Sequence, residues 1–428
     1  MNIILSNKKL FENKILLATV ILIFLIPITL IIGNAATNIN IVLISFFIVI
    51  KLFKDKELEI FLTKHSLIVL LFFGAIIIKD TLFLFQFNTK SFYLIKFYFL
   101  FISVDYVFSK HRELVQYFSS FLLLILVIFS ADIIFQYFFG KDFFNISSES
   151  VHRFSGFMGT EWIAGSYISK FAIISLLAII TKNKFNYISI SLLLFFFLVI
   201  ILSGERMALL NYFLVLLLFF IAFSYKGYFS FKKIFFLLSI LLLSFVVFFQ
   251  SLDDKRKKIY TIDVLIKLKL AEKFVKIFNL SEKDQETIKR ESIKKNSHLD
   301  IFISSYKIYK DNILFGTGTD KFFEKCKKFK KEKLYCESHS HNIYLNIISE
   351  QGTIIFLIFI YLIYFNLFKV FKNNKNNESY LITLIVLIVF LNPLSISGDI
   401  FSTWTGAIFW YIFGICSGLT NKVLNNKN

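Results

Sequence analysis

Proline is almost missing from this chain, with two in 428 residues, and cysteine is scarce at three. Acidic residues are few beside basic ones, 29 against 48. Each shortage excludes something. A soluble α/β enzyme breaks its apolar runs after about five to eight residues with Gly and Pro, and these runs go on unbroken to more than twice that length. Three cysteines are too few for a disulfide framework. The phosphate-cradling pattern Gly-x-x-x-x-Gly-Lys-Ser/Thr is also absent. With no such loop, and with predicted cytoplasmic connections too short to house a nucleotide-binding domain, ATP-driven transport is disfavoured.

What is present is apolar surface: 57% of the residues are hydrophobic and 19% aromatic. Apolar segments run approximately over 15–33, 38–53, 66–86, 91–108, 114–139, 162–181, 185–203, 206–224, 231–250, 353–371, 379–393 and 404–419. A helix of such length crosses a hydrocarbon layer of about 30 Å with every backbone polar group satisfied internally. The pattern predicts an all-α integral membrane protein of about twelve transmembrane helices. Residues 1–250 would hold the first nine spans, with an outer loop at 140–161. Residues 251–342 would form a helical cap, and 343–428 would hold the last three spans. The first run is longer than the core of a signal peptide and reads as an uncleaved anchor.

A net charge of +19 would point to nucleic acid in a soluble protein. In a membrane protein most of it is orientation signal. With both termini in the cytoplasm, Lys8, Lys9 and Lys14, then Lys51, Lys54 and Lys56, then Lys369 and Lys372 all fall inside, whereas 33–38 and 393–403 carry no Lys or Arg. The long outer segment 251–342 holds 22 Lys/Arg against 14 Asp/Glu and is too long to obey the same rule. Ile262, Leu265, Ile266 and Leu270, and then Ile301, Phe302, Ser305 and Ile308, recur at helical spacing within it. Cys326 and Cys336 also lie there. An outward-facing loop is oxidising space, so they would either close a loop of about ten residues or stand as two free thiols.

Chemistry concentrates where the cap meets a span, at Cys336-Glu-Ser-His-Ser-His-Asn342 and on to Gly352. His341 reads as opening a helix with Ser340 as its N-cap, which would keep the imidazole neutral and suited to general-base work. An ordinary interfacial histidine is the plainer reading. His339 and His341 with Glu337 lack metal-ligand spacing, so no metal is expected. Arg206, between two spans, is either a snorkelling side chain paired with Glu205 or a fixed guanidinium for a phosphate. Arg153 carries the same two readings. His298 falls on the same predicted side.

Several pieces, in order, resemble the O-antigen ligase and polymerase family of polytopic bacterial glycosyltransferases. They are Asp132-Ile-Ile-Phe-Gln136-Tyr-Phe-Phe-Gly140, Arg153-Phe-Ser-Gly156, Ser203-Gly-Glu-Arg206-Met-Ala, Asn312-Ile-Leu-Phe-Gly316-Thr-Gly318, and His339-Ser-His341-Asn342 followed by Gly352. The resemblance implies transfer of a glycan from an undecaprenyl-pyrophosphate carrier to an acceptor hydroxyl at the periplasmic face of the bacterial inner membrane, without nucleotide, metal or other cofactor. It makes His341 and Arg206 the expected catalytic pair, with Arg153, His298, His339 and Asn342 binding substrate, and it gives the Cys326/Cys336 bracket to one branch of the family. The expected partners are the lipid-linked donor, an acceptor that is a lipid A core or a growing glycan, and the bilayer; nucleic acid is not among them. A ligase is preferred, a polymerase is the near alternative, and a polysaccharide or lipid-linked sugar transporter is the alternative of a different class.

Overall fold

A computed structural model describes residues 13–84, 89–148, 153–183, 187–227, 239, 297–332, 336–373, 378–395 and 397–420. Among these residues there is helix and no β-strand. In chain order the helices are α1 (Lys14–Ile32), α2 (Asn34–Lys54), α3 (Lys64–Ile78), α4 (Thr89–Tyr93), α5 (Ile95–Lys110), α6 (Leu114–Phe139), α7 (Ala164–Ser175), α8 (Leu177–Asn183), α9 (Tyr187–Ser203), α10 (Arg206–Tyr225), α11 (Ser297–Asp311), α12 (Phe322–Cys326), α13 (Ile343–Asn373), α14 (Glu378–Phe390) and α15 (Thr403–Thr420).

Seven of the described helical stretches are long and apolar enough to cross a membrane, and α7–α8, α9 and α14 add shorter apolar segments. The chain is therefore a multi-pass membrane protein. Nearly every apolar run read from the sequence is a helix within a few residues of its limits. The run at 231–250, apart from residue 239, and the helical spacing at 262–270 lie outside the described residues.

One span differs in kind. The sequence starts it at Thr353, but α13 begins ten residues earlier and bends at Gly352, whose φ of 76° and ψ of −179° are not helical. Hydropathy misses the first arm because Asn346, Ser349, Glu350 and Gln351 are polar. All four are buried.

The bundle is built around α15, buried along nearly its whole length, lying against α5. Small residues let the two backbones approach closely. A Cβ placed on Gly414 or Gly418 would come within 2.9 Å of the Val104 or Phe108 Cβ atoms. Trp410 fills the other flank, with its ring centroid 4.9 Å from that of Phe73. The cap segment forms its own small core from Ile301, Ile308, Phe322 and Cys326. Ile301, Ser305 and Ile308 are the buried face of α11, the spacing the sequence shows.

Candidate functional site

Four connecting segments converge at one end of the bundle. The first is the loop after α6. Asp132 and Gln136, on the last turns of α6, fold it back: Asp132 Oδ1 accepts from Phe143 N at 2.7 Å, and Gln136 Oε1 accepts from Gly156 N at 2.9 Å. Those bonds fix the stretch that carries Arg153, and Phe154 N donates to Ser203 O at 3.2 Å, bringing it beside the α9–α10 turn. Arg153 is exposed, with its guanidinium 5.5 Å from the Trp162 ring centre.

The second segment is Ser203-Gly-Glu-Arg206. Glu205 caps α7, accepting from Gly165 N at 2.6 Å, Ser166 N at 3.2 Å and Ser166 Oγ at 2.7 Å. Burial pushes its carboxyl above the usual range, against the pull of the Ser166 hydroxyl, the Gly165 amide and Lys170. Arg206 is exposed and is the first residue of α10. A cation at the positive end of a helix is disfavoured by the helix and gains from any anion brought beside it.

The third segment is 339–342. Three imidazoles gather here, with ring centroids of His339 and His341 4.2 Å apart and of His298 and His341 5.3 Å apart, the second pair edge-to-face. The helix does not start at His341. Asn342 is the N-cap, its Oδ1 accepting from Tyr344 N at 3.0 Å and Leu345 N at 3.1 Å, while Ser340 Oγ donates to the Asn342 carbonyl. This corrects the expectation for Ser340; Asn fills that place because its side chain reaches back to the second and third helical amides. His341 sits in the left-handed region at φ 54° and its carbonyl accepts from Ser397 N at 2.9 Å. Burial lowers the pKa of His341, and His298 lowers it further, against the pull of Glu337. Burial and then His341 take His339 down to about 4. Among the described residues no His, Cys, Asp and Glu group could hold a metal ion.

The fourth segment is 391–402, which Asn342 also ties down: its Nδ2 donates to Pro393 O at 2.7 Å and to Ser395 O at 3.3 Å. Asn211, in α10, donates to Ser395 Oγ at 2.9 Å. Between these elements lies a cavity of about 50 Å³, lined by Ser169, Lys170, Asn211, Ile343, Ser395 and Ser397 among others. The helix that Arg206 opens and the helix that follows His341 therefore share one hollow.

Residues 190–360 match the model of a protein family described as O-antigen ligase. The chain carries an O-antigen ligase family domain. The match takes in Arg206, His298, His339, His341, Asn342 and Gly352, and leaves Arg153 outside. No curated protein matches. That domain is the domain of an O-antigen ligase family enzyme, set in a chain of membrane-spanning helices.

Sequence reasoning misses two features of the structure. Gly316 and Gly352 are one device: the backbones cross so closely that a Cβ on Gly316 would lie 2.5 Å from the Glu350 carbonyl atoms, and one on Gly352 would lie 2.5 Å from Gly316 N. Thr317 N donates to Ser349 O at 3.2 Å, Gly318 N to Glu350 O at 2.9 Å and Thr353 N to Ile313 O at 2.9 Å. The crossing pins the cap to the bend of α13. Below it Lys79 Nζ donates to Gln351 Oε1 at 2.6 Å and Glu350 O at 3.0 Å, and pairs with Asp80 at 2.9 Å. Lys79-Asp80 inside an apolar run was the available signal, since buried membrane charges come with partners. Cys326 and Cys336 form a disulfide with Cα atoms 5.8 Å apart, which closes the end of the cap next to His339.

Proposed function

We propose that this enzyme moves a glycan from an undecaprenyl-pyrophosphate carrier to an acceptor hydroxyl at the periplasmic face, with a lipid A core as acceptor, and with inversion at the anomeric carbon. The observation that carries the reading is the shared cavity, which the helices behind Arg206 and His341 both line. A lowered pKa leaves the His341 ring neutral at pH 7, the state a general base requires. The acceptor O–H proton passes to the imidazole nitrogen while the acceptor oxygen bonds to the anomeric carbon. The bond from that carbon to the diphosphate oxygen breaks, and its electron pair leaves with undecaprenyl diphosphate. Arg206, supported by Arg153, offsets the charge growing on the leaving oxygen, because a guanidinium fork binds two phosphoryl oxygens at once. His298 crowds His341 and disfavours its protonated form; it and His339 border the acceptor's path. The surplus of cations in 251–342 draws phosphorylated acceptors to this face.

The test is purified protein with a synthetic undecaprenyl-pyrophosphate glycan, with and without core lipid, and products sized. A single transfer that requires core is expected. Carrier-linked chains that lengthen without core would instead make the enzyme a polymerase, and no transfer under either condition would overturn glycosyl transfer itself.

A further inference from the structure

Lys170 stands in the middle of α7, an apolar helix, and lines the cavity without a carboxylate among the other lining residues. An ionisable group inside a membrane bundle requires a partner. Among the described residues the carboxylate within electrostatic reach is Glu205, which already accepts three hydrogen bonds at the end of α7. The Trp404 ring, 5.1 Å away, supplies a cation–π contact but no counter-charge. Two further polar atoms of the lining are buried and have no hydrogen-bond partner, Ser397 Oγ and Asn211 Oδ1. Such groups are costly in a closed protein and point to an occupant. The Ser397 hydroxyl can donate, and the Asn211 amide can turn its NH₂ inward. A cation, a hydroxyl and an amide around one small hollow form a site for a compact anion.

Depth identifies which anion. Glu205 joins the starts of α7 and α10, so the two helices set out from the same level. Lys170 is five residues along from Gly165, and Asn211 five along from Arg206, about 7.5 Å into the bundle at 1.5 Å per residue. A lipid-linked diphosphate carries one phosphate on the sugar side and one on the lipid side. Building on the function proposed above, we infer that Lys170, with Ser397 and Asn211, binds the lipid-side phosphate of the carrier, one level below the phosphate met by Arg206. Lys170 is then a binding residue for the donor and for the departing undecaprenyl diphosphate.

The experiment measures undecaprenyl diphosphate binding to full-length protein in lipid nanodiscs by native mass spectrometry, alongside donor KM and kcat in the transfer assay. Lys170→Met is expected to weaken binding and raise donor KM by about tenfold or more, with a smaller change in kcat, and Lys170→Arg to restore most of the affinity. Ser397→Ala is expected to weaken binding several-fold while leaving the melting temperature of the unliganded protein unchanged or higher, which a structural role would not produce; it decides the matter if Lys170→Met fails to fold. Inorganic pyrophosphate is expected not to displace the lipid. Unchanged binding in Lys170→Met or in Ser397→Ala, or displacement of the lipid by inorganic pyrophosphate in the wild type but not in Lys170→Met, would overturn the assignment. Lys170-dependent binding by a wild type that transfers no glycan would keep the phosphate site and sink the glycosyltransferase reading.

Discussion

Replacing Gly352 by alanine tests whether the cap and the bent helix hold the site together as one unit. At φ 76° and ψ −179° the residue occupies a region open in practice only to glycine, which costs about 1–3 kcal/mol for any other residue. Its new Cβ would also overlap the Leu314 carbonyl oxygen and press on Gly316 N, backbone atoms that cannot swing aside as a side chain would. Relief requires the two backbone segments to part, with loss of the bonds from Thr317, Gly318 and Thr353 at about 1 kcal/mol each. Together the substitution costs about 4–6 kcal/mol of local stability. Gly316→Ala breaks the same crossing from the other side. The two changes share those three lost bonds and therefore do not add: the double variant is expected to fall short of the summed losses by about 3 kcal/mol in a double-mutant cycle. Thermal unfolding in detergent and the transfer assay read both effects, and activity should fall with stability because Asn342 and His341 ride on the arm that the crossing anchors. Additive losses, or a Gly352→Ala variant with unchanged melting and transfer, would refute this account.

His341→Ala should lower the transfer rate by about 10²–10⁴-fold while donor binding changes little, whereas a transporter would keep its flux. The acid limb of kcat/KM should fall below pH 6.5, because the folded pKa of His341 lies below its ordinary value through burial and the neighbouring His298, with Glu337 opposing; a limb at or above 6.5 would show the imidazole to be unshifted. His339 adds a stability effect of the same sign: the unfolded chain takes up its proton near pH 6.5 and the folded one only near 4, so stability should drop across that window on acidification and level off below it, as a pH series of melting temperatures would show. Cys336→Ser opens a ten-residue loop and should destabilise the end of the cap by about 2–3 kcal/mol; limited proteolysis of 321–338 that does not change on reduction would show the bond to be dispensable.

Much of the site is legible in the amino-acid sequence, because its residues are anomalies in an apolar text. Histidines at the edge of a span and an arginine between two spans stand out against phenylalanine and isoleucine. Lys170 passes unremarked inside the apolar run 162–181, because its meaning depends on what faces it, and Asn211, Ser395 and Ser397 are 41, 225 and 227 residues away. Asn342 shows the opposite case: its neighbours make it look like part of the chemistry, whereas its side chain caps α13 and holds the 391–402 loop. Gly352 could be seen as special, but its partner Gly316 could not, since nothing local says which two backbones will cross.

The sequence alone determined that the chain crosses a membrane many times as helix, because hydrophobic length is a local property and a backbone in hydrocarbon has few ways to satisfy itself. It also determined which segments are polar enough to carry chemistry. Only the tertiary structure decided that α13 begins at Ile343 and bends at Gly352, that Glu205 caps α7, and that the helices behind Arg206 and His341 enclose one cavity with Lys170 in its wall. Those outcomes depend on packing between segments far apart in the chain, where the burial of one polar group is settled by whichever distant donor or acceptor arrives beside it.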